Sequence, residues 1–427
     1  MGHLAAKDAY RELGAKLDSL TCRLPYNQSL RAILKELYTE EEADLVILMP
    51  SGLSNLERLG LTTGIPRERL KALLESATSK GLILDLWVKD EYRYSPSPFI
   101  IGIFEFTLMR TRGRLNTKEW ARLFHEYMDE GPFWGANLSH GETVSILRTV
   151  AREEALPADG HLEILDYEKA SSFIERAERC AVGICACRHE KLHLGAKICD
   201  VPLETCTSFG MAADYLIRHG LAREAPKAKM RELFAASRER GLVLCADNVQ
   251  RKVSYVCHCC KCCCSALSGI TRHGYANAVV TSGFVARGED RPCAGCGLCA
   301  KVCPVSAIVM EGRRPRLDPE ACLGCGVCVV KCGRKALRLE RRPQRVIPPE
   351  NIFEKVILQG LEKGTLGSQL FDDPKSATHR FLRAFVGGFL RLDPVRKALA
   401  SDALRSGFLQ AIKAGVRLRG TEELLDL

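Results

Sequence analysis

The sequence predicts a multidomain α+β chain, and three observations carry that expectation. Helical stretches between residues 25 and 81 give way to a strand-like alternation before residue 95. The middle of the chain holds grouped, closely spaced cysteines, and the residues after 343 read as helices again. At 427 residues the chain predicts two to four domains, each with material for its own core. The segments read as 1–110, a helical connector at 111–165, a cysteine-rich α+β middle at 166–284, a cysteine block at 285–342, and a helical end at 343–427.

Composition narrows the function classes. Apolar content of 46% and charged content of 27% are those of a soluble globular protein. The start, Met1 to Asp8, has no apolar segment, and no run of eighteen apolar residues occurs, so the expectation is a cytoplasmic protein without membrane insertion. Twenty-one cysteines in a large chain of that kind point to metal rather than disulfides. Cys22, Cys180 and Cys245 stand apart from the groups and read as buried apolar residues. The net charge of +10 fits either an acidic protein partner or weak contact with nucleic acid.

Residues 27–50 read as two helices, the second entered through Thr39-Glu40-Glu41-Glu42, and Ser54 to Thr62 reads as a third. Pro66 opens a fourth that stacks Leu70, Leu73 and Leu74 and stops at Gly81. Leu82 to Tyr94 then alternates around Lys89-Asp90-Glu91 as a hairpin. This order resembles a winged-helix domain, which implies either DNA binding through Arg67, Arg69 and Lys71 or a protein-docking module. Asp85, Asp90 and Glu91 on the wing are poor neighbours for phosphate and favour docking.

Further on, Asn116-x-x-Glu119 starts a helix whose Trp120, Leu123, Phe124, Tyr127 and Met128 read as core. Gly131-Pro132 ends it, and Leu156 to Gly160 reads as a loop. A helix is expected from Tyr167 to about Ala181, delivering the chain to Cys185 and Cys187, with Cys199 and Cys206 following. Then comes Cys257-His258-Cys259-Cys260-Lys261-Cys262-Cys263-Cys264. Six cysteines in eight residues cannot all face one core at either the helical or the strand period, so a metal or cluster explains them better than packing. Cys185, Cys187, Cys199 and Cys206 either hold a cluster themselves or combine with members of this run. An additional iron–sulfur cluster is the favoured cofactor and zinc its rival, since His189-x3-His193 has ligand spacing. Those histidines read more readily as solvent-facing beside Arg188, Glu190 and Lys191.

The strongest signal lies in Cys293-x2-Cys296-x2-Cys299-x3-Cys303-Pro304, answered eighteen residues later by Cys322-x2-Cys325-x2-Cys328-x3-Cys332-Gly333. Three thiolates two residues apart can wrap three iron corners of a cubane, while the fourth points away to complete another. The block closely resembles a bacterial-type ferredoxin carrying two [4Fe–4S] clusters. The resemblance implies one cluster on Cys293, Cys296, Cys299 and Cys332, and a second on Cys322, Cys325, Cys328 and Cys303. Gly295, Gly297, Gly324 and Gly326 suit a backbone passing close to a cluster, and Gly333 stands where the ferredoxins usually have proline.

In its overall order the chain is similar to a family of uncharacterised bacterial and archaeal 4Fe–4S proteins, in which His258 is usually Asn. The resemblance implies architecture rather than a reaction. No phosphate-cradling glycine loop, no Ser/His/Asp order and no small-molecule site stands out. The expected function is electron transfer with a partner oxidoreductase. The alternatives are a cluster-responsive DNA-binding regulator and a reductase centred on Cys185–Cys264.

Overall fold

The computed structural model describes residues 8–113, 115–129, 131–156, 165–289, 292–344, 346–373, 375–390, 392, 395, 402–418, 422 and 425. It is a mixed α and β structure with two compact units, one of Met1–Asn137 with Phe353–Leu427 and one of Leu138–Ile352.

The first unit opens with helices α1 (Ala9–Asp18), α2 (Gln28–Leu37), α3 (Glu40–Leu48), α4 (Leu56–Thr63) and α5 (Arg67–Ser79). Helix α2 buries Leu30, Ile33, Leu34 and Leu37 along one stripe, and the Asn27 side chain caps it by accepting from the Leu30 N–H. At α3 the expected acidic entry is a capping box: the Thr39 hydroxyl accepts from Glu42 N–H, and the Glu42 carboxylate accepts from Thr39 N–H. That carboxylate is buried, and Ser76 and Lys80 at the end of α5 each donate to it at 2.7 Å, tying the two helices together. Helices α4 and α5 start one or two residues later than the sequence suggests, because Asn55 and Pro66 occupy the cap positions.

Strands β1 (Ile83–Val88) and β2 (Glu91–Pro96) form the expected hairpin, turned by Lys89 and Asp90, both at positive φ. Of the three basic residues proposed for α5, Arg69 pairs with Glu41 and Lys71 with Glu68. Helices α6 (Phe104–Met109), α7 (Thr117–Asp129) and α8 (Phe133–Leu138) follow, and the aromatic stripe of α7 is core, packed with Phe99, Phe104 and Phe133. In the C-terminal part of this unit, Ile357, Leu361, Leu366 and Leu390 form a core cluster. Phe381, Phe385 and Phe389 on the helix Ala377–Leu390 are instead exposed.

The second unit is built on a seven-stranded sheet. Its strands are β3 (Leu147–Val150), β4 (Cys180–Ile184), β5 (Glu204–Phe209), β6 (Ala222–Glu224), β7 (Val243–Asp247), β8 (Tyr255–Cys259) and β9 (Val279–Val280), in the order β6-β4-β5-β8-β7-β3-β9. All neighbours are antiparallel except β3 and β9. Two readings change here. The helix expected from Tyr167 to Ala181 is only α9 (Ala170–Arg176), since the buried run Cys180-Ala181-Val182-Gly183-Ile184 makes an inner strand. Leu147–Val150, inside the presumed helical connector, is another. Of the loop expected at Leu156–Gly160, residues 157–160 lie outside the described residues.

One sheet face carries Val150, Val182, Leu244, Ala246 and Val256, packed with Phe173 and Ile174 of α9 and Met230 of α12 (Lys227–Glu239). Between them, α10 (Ala186–His193) follows β4 and α11 (Gly210–Arg218) follows β5. Helix α13 (Ser265–Thr271) follows the cysteine run.

The cysteine block adds β10 (Phe284–Gly288) paired with β13 (Leu337–Arg341), the hairpin β11 (Ile308–Glu311) and β12 (Arg314–Leu317), and two short helices, α14 (Leu298–Val302) and α15 (Val327–Val330). The two halves repeat each other. Gly297 and Gly326 precede the short helices in the left-handed conformation, and Gly295 and Gly324 share positive φ. At Gly324 a Cβ would also sit 2.0 Å from the Phe284 carbonyl oxygen, so the loop is locked to β10 by close backbone approach. Gly324→Ala is therefore expected to cost about 2–4 kcal/mol of stability. Gly288→Ala, where a Cβ meets nothing within 4 Å, should stay within about 0.5–1 kcal/mol. Equal denaturant midpoints for the two variants would contradict this account.

Candidate metal centres

Two cavities lie in the cysteine block. One is lined by Cys293, Cys296, Cys299 and Cys332 with Gly297 and Leu298, has a volume of about 530 Å³ and opens to solvent. The other is lined by Cys303, Cys322, Cys325 and Cys328. Each takes three cysteines from one run and the fourth from the other. The repeat extends to backbone donors: Gly295 N–H points at Cys293 Sγ at 3.4 Å and Gly324 N–H at Cys322 Sγ at 3.4 Å, while Ala307 and Ala336 donate to Cys303 and Cys332 at 3.2 and 3.3 Å. Four thiols, two of them receiving a backbone amide, are a donor set that fits a [4Fe–4S] cluster.

The two sets differ in exposure. Cys293 and Cys296 are exposed, whereas Cys303, Cys325 and Cys328 are buried. Burial pushes the Cys325 thiol up to about 12 and Cys328 higher still, so without a cation both would stay protonated. A metal that takes thiolates supplies the missing charge. The buried set rests on the end of the large sheet. Arg152 N–H donates to the Cys325 carbonyl at 3.1 Å, and the Arg152 guanidinium, itself buried, donates to the carbonyls of Ser237 and Leu242.

The second group of cysteines divides according to where β8 ends. Register places Cys245 opposite Cys257 and Gly183 opposite Cys206, and one further step along the β5–β8 ladder brings Cys206 beside Cys257. Opposite residues of antiparallel strands share a face, so Cys206, Cys257 and Cys245 form a row across three strands, with Cys259 two residues on along the same face. Cys185 and Cys264, at the N-caps of α10 and α13, come to this row together with Cys187. The thiols interact in a chain from Cys185 to Cys187 to Cys264 to Cys259, and from Cys259 to Cys245 and Cys257. Cys187 is drawn well below the usual thiol range by Cys185 and then Cys264. Cys245, taken from the sequence as an apolar core residue, is buried but belongs to this thiol row; only its register with Cys257, across a β-hairpin, could have flagged it.

The remaining four cysteines leave the sheet. Cys199, Cys260, Cys262 and Cys263 bring their sulfurs within 4.8 Å of one another. Val201 and Leu242 pack around them. The Cys260 thiol is lowered to about 4, first by the hydrogen bond from Cys263 and then, against burial, by the Arg188 guanidinium. Arg188 is among the most buried side chains and donates to the Thr205 hydroxyl and the His258 carbonyl. In the sequence it ends the Cys185-x-Cys187-Arg188 motif and otherwise reads as part of a charged turn.

The histidines take other roles. His189 and its neighbours Arg188, Glu190 and Lys191 are buried, so the solvated turn expected here is an inner helix. His189 and His193 face each other through Nε2 at 2.9 Å. His258 points to the opposite sheet face, where Nδ1 meets the Ser237 hydroxyl at 2.6 Å, Nε2 meets the Thr207 hydroxyl at 3.2 Å, and the ring packs edge-on against Phe234. Both ring nitrogens are engaged, and burial, then Arg188 and Arg152, lower its pKa to about 3. It is a neutral bracket under the cysteine run rather than a metal ligand.

No curated protein and no solved structure matches this chain. A family model described as 4Fe-4S dicluster domain matches residues 292–336. That match and the cysteine geometry identify this portion of the chain as a ferredoxin-type, iron–sulfur-binding 4Fe–4S domain.

Proposed function

We propose that the chain is an electron-transfer protein with two [4Fe–4S] clusters in residues 285–342, a further iron–sulfur centre in the Cys185–Cys264 region, and a partner oxidoreductase. The observation that carries this reading is the pair of cavities, each lined by three cysteines of one run and one of the other. Cys293, Cys296, Cys299 and Cys332 would hold one cluster, and Cys322, Cys325, Cys328 and Cys303 the second. For the further centre, the thiolates come from Cys185, Cys187, Cys206, Cys257, Cys259 and Cys264, with Cys245 a further member of the row. A bound cubane accepts and gives up single electrons. The protein's part is to hold the thiolates, donate amide hydrogens to them and set which end meets solvent.

The exposed end is the Cys293 set. Lys301, Arg313, Arg314, Arg334 and Lys335 are exposed in the same block, with Arg313 and Arg334 beside the Cys293 set, which suits an acidic protein partner. On the winged-helix-like reading of residues 1–110, docking is favoured over DNA recognition, because Arg69 and Lys71 of α5 already have acidic partners. No helix among the described residues is long and apolar enough to cross a membrane. A cytoplasmic setting accords with the reduced thiols this reading needs.

Two measurements test it. Anaerobic Cys303→Ser protein should lose or alter the electron paramagnetic resonance signal of the Cys322 cluster and keep that of the Cys293 cluster; the reverse result would show that the fourth ligands are not exchanged between runs. Reduction by a small acidic electron carrier should slow several-fold between about 10 and 150 mM salt, and Arg334→Glu should remove most of that dependence. Rates indifferent to salt would rule out the basic docking face.

A further inference from the structure

The four thiols outside the sheet have a spacing that the other sets lack. Cys199 Sγ lies 3.8 Å from Cys260 Sγ and 3.8 Å from Cys263 Sγ. Cys262 Sγ lies 3.7 Å from Cys260 Sγ and 3.4 Å from Cys263 Sγ. Among the described residues, this is the one group of three or more metal-ligating side chains gathered so closely. Four sulfurs at the corners of a tetrahedron around one ion, with metal–sulfur bonds of about 2.3 Å, are about 3.8 Å apart. In a cubane each thiolate sits on a different iron, and the sulfurs are spread to roughly 6 Å or more. We infer that Cys199, Cys260, Cys262 and Cys263 hold a single tetrahedral metal ion, zinc or mononuclear iron, as a centre separate from the iron–sulfur centre proposed for the sheet-face cysteines.

The surroundings suit such an ion. Its ligands are all sulfur, which selects zinc or iron over magnesium or calcium. Four thiolates around a dication leave a net charge of about −2, and the buried Arg188 guanidinium, against Cys260, offsets part of it. Val201 and Leu242 shield the group, and Cys260 and Cys263 are buried while Cys199 and Cys262 are partly covered. All four positions have protein ligands, which is the form of a closed, structural site rather than one with an open coordination position. The ion would join the loop after α10 to the turn after β8, two segments 61 residues apart.

The test is metal and acid-labile sulfide per chain in anaerobically purified full-length protein, compared between wild type, Cys262→Ser and Cys187→Ser. Cys262→Ser should lose about one metal ion per chain with sulfide unchanged. Loss of about four iron and four sulfide in that variant would overturn the inference in favour of a cubane, and loss of no metal would overturn it outright. Cys187→Ser reports on the other centre: it should lose iron with sulfide and keep the single ion, so failure of the sheet-face centre is distinguishable from failure of this one. Should Cys262→Ser not fold, judged by the resonance signals of the ferredoxin block, wild-type protein exchanged with cobalt(II) decides. One equivalent in a tetrahedral all-thiolate site gives intense visible ligand-field and thiolate-to-cobalt bands, and their absence would sink the assignment.

Discussion

The Cys257–Cys264 run can serve two centres because a strand ends in the middle of it. Through Cys259 the chain is extended, and period two sends Cys257 and Cys259 to one face while His258 goes to the other. Beyond Cys259 the backbone turns, the Cys264 N–H closing on the Cys260 carbonyl, and Cys260, Cys262 and Cys263 point away from the sheet towards Cys199. Cys264 then caps α13 and returns to the row. Had β8 continued by two residues, Cys260 would share the face of His258 and the close group could not form. The end of this strand therefore decides which thiols can share a metal.

Two buried guanidinium groups hold this arrangement against the cost of gathering thiolates. Burying an arginine is expensive unless acceptors and anions surround it. Arg152 is offset by the carbonyls of Ser237 and Leu242 and by the nearby Cys325, and burial still leaves its pKa lowered. At Arg188 the balance reverses: burial is outweighed by Cys185 and Cys260, and the pKa rises. The contrast reflects the thiols gathered around Arg188, Cys185 and Cys260 first among them. Burial first, and then the Arg188 and Arg152 cations, keep the His258 ring neutral.

The ferredoxin block was legible in the sequence because its ligands are set by local turns. Three cysteines two residues apart, with glycines at positive φ between them, fix their own geometry within a few residues. Helix starts were legible for the same reason, as at Thr39 and Asn27, where a side chain bonds a backbone group three residues away. The second cysteine group was not, because its partners are chosen by sheet register. Cys245 meets Cys257 only once β7 and β8 pair, and Cys199 meets Cys260 across 61 residues. Charge also misled: Arg188, Glu190 and Lys191 look like a solvated turn, and their burial in α10 depends on neighbours that local pattern does not reveal. The strand at Cys180–Ile184 was hidden similarly, since a short apolar run suits a helix as well as an inner strand.

The placement of the cysteine groups bears on how they would act together. The Lys261 ammonium, between Cys260 and Cys262, donates to the Ser306 hydroxyl at 3.1 Å, just past Cys303, and Lys331, next to Cys332, donates to the Glu239 carbonyl at the end of α12. The Lys261 bond thus ties the turn that carries Cys260, Cys262 and Cys263 to the loop just past Cys303, and the Lys331 bond ties the end of α12 to the second cysteine run. The proposed single-ion site would have a mechanical use there: it would fix the turn after β8 and with it the loop that Lys261 bonds. Cys293 and Cys296 are exposed while Cys303, Cys325 and Cys328 are buried, so on the electron-transfer reading the Cys293 set is the end open to a partner. On the electron-transfer reading the separation between groups must stay fixed, and Arg152, Arg188, Lys261 and Lys331 are among the contacts of this unit that hold it, with the proposed ion as a further tie.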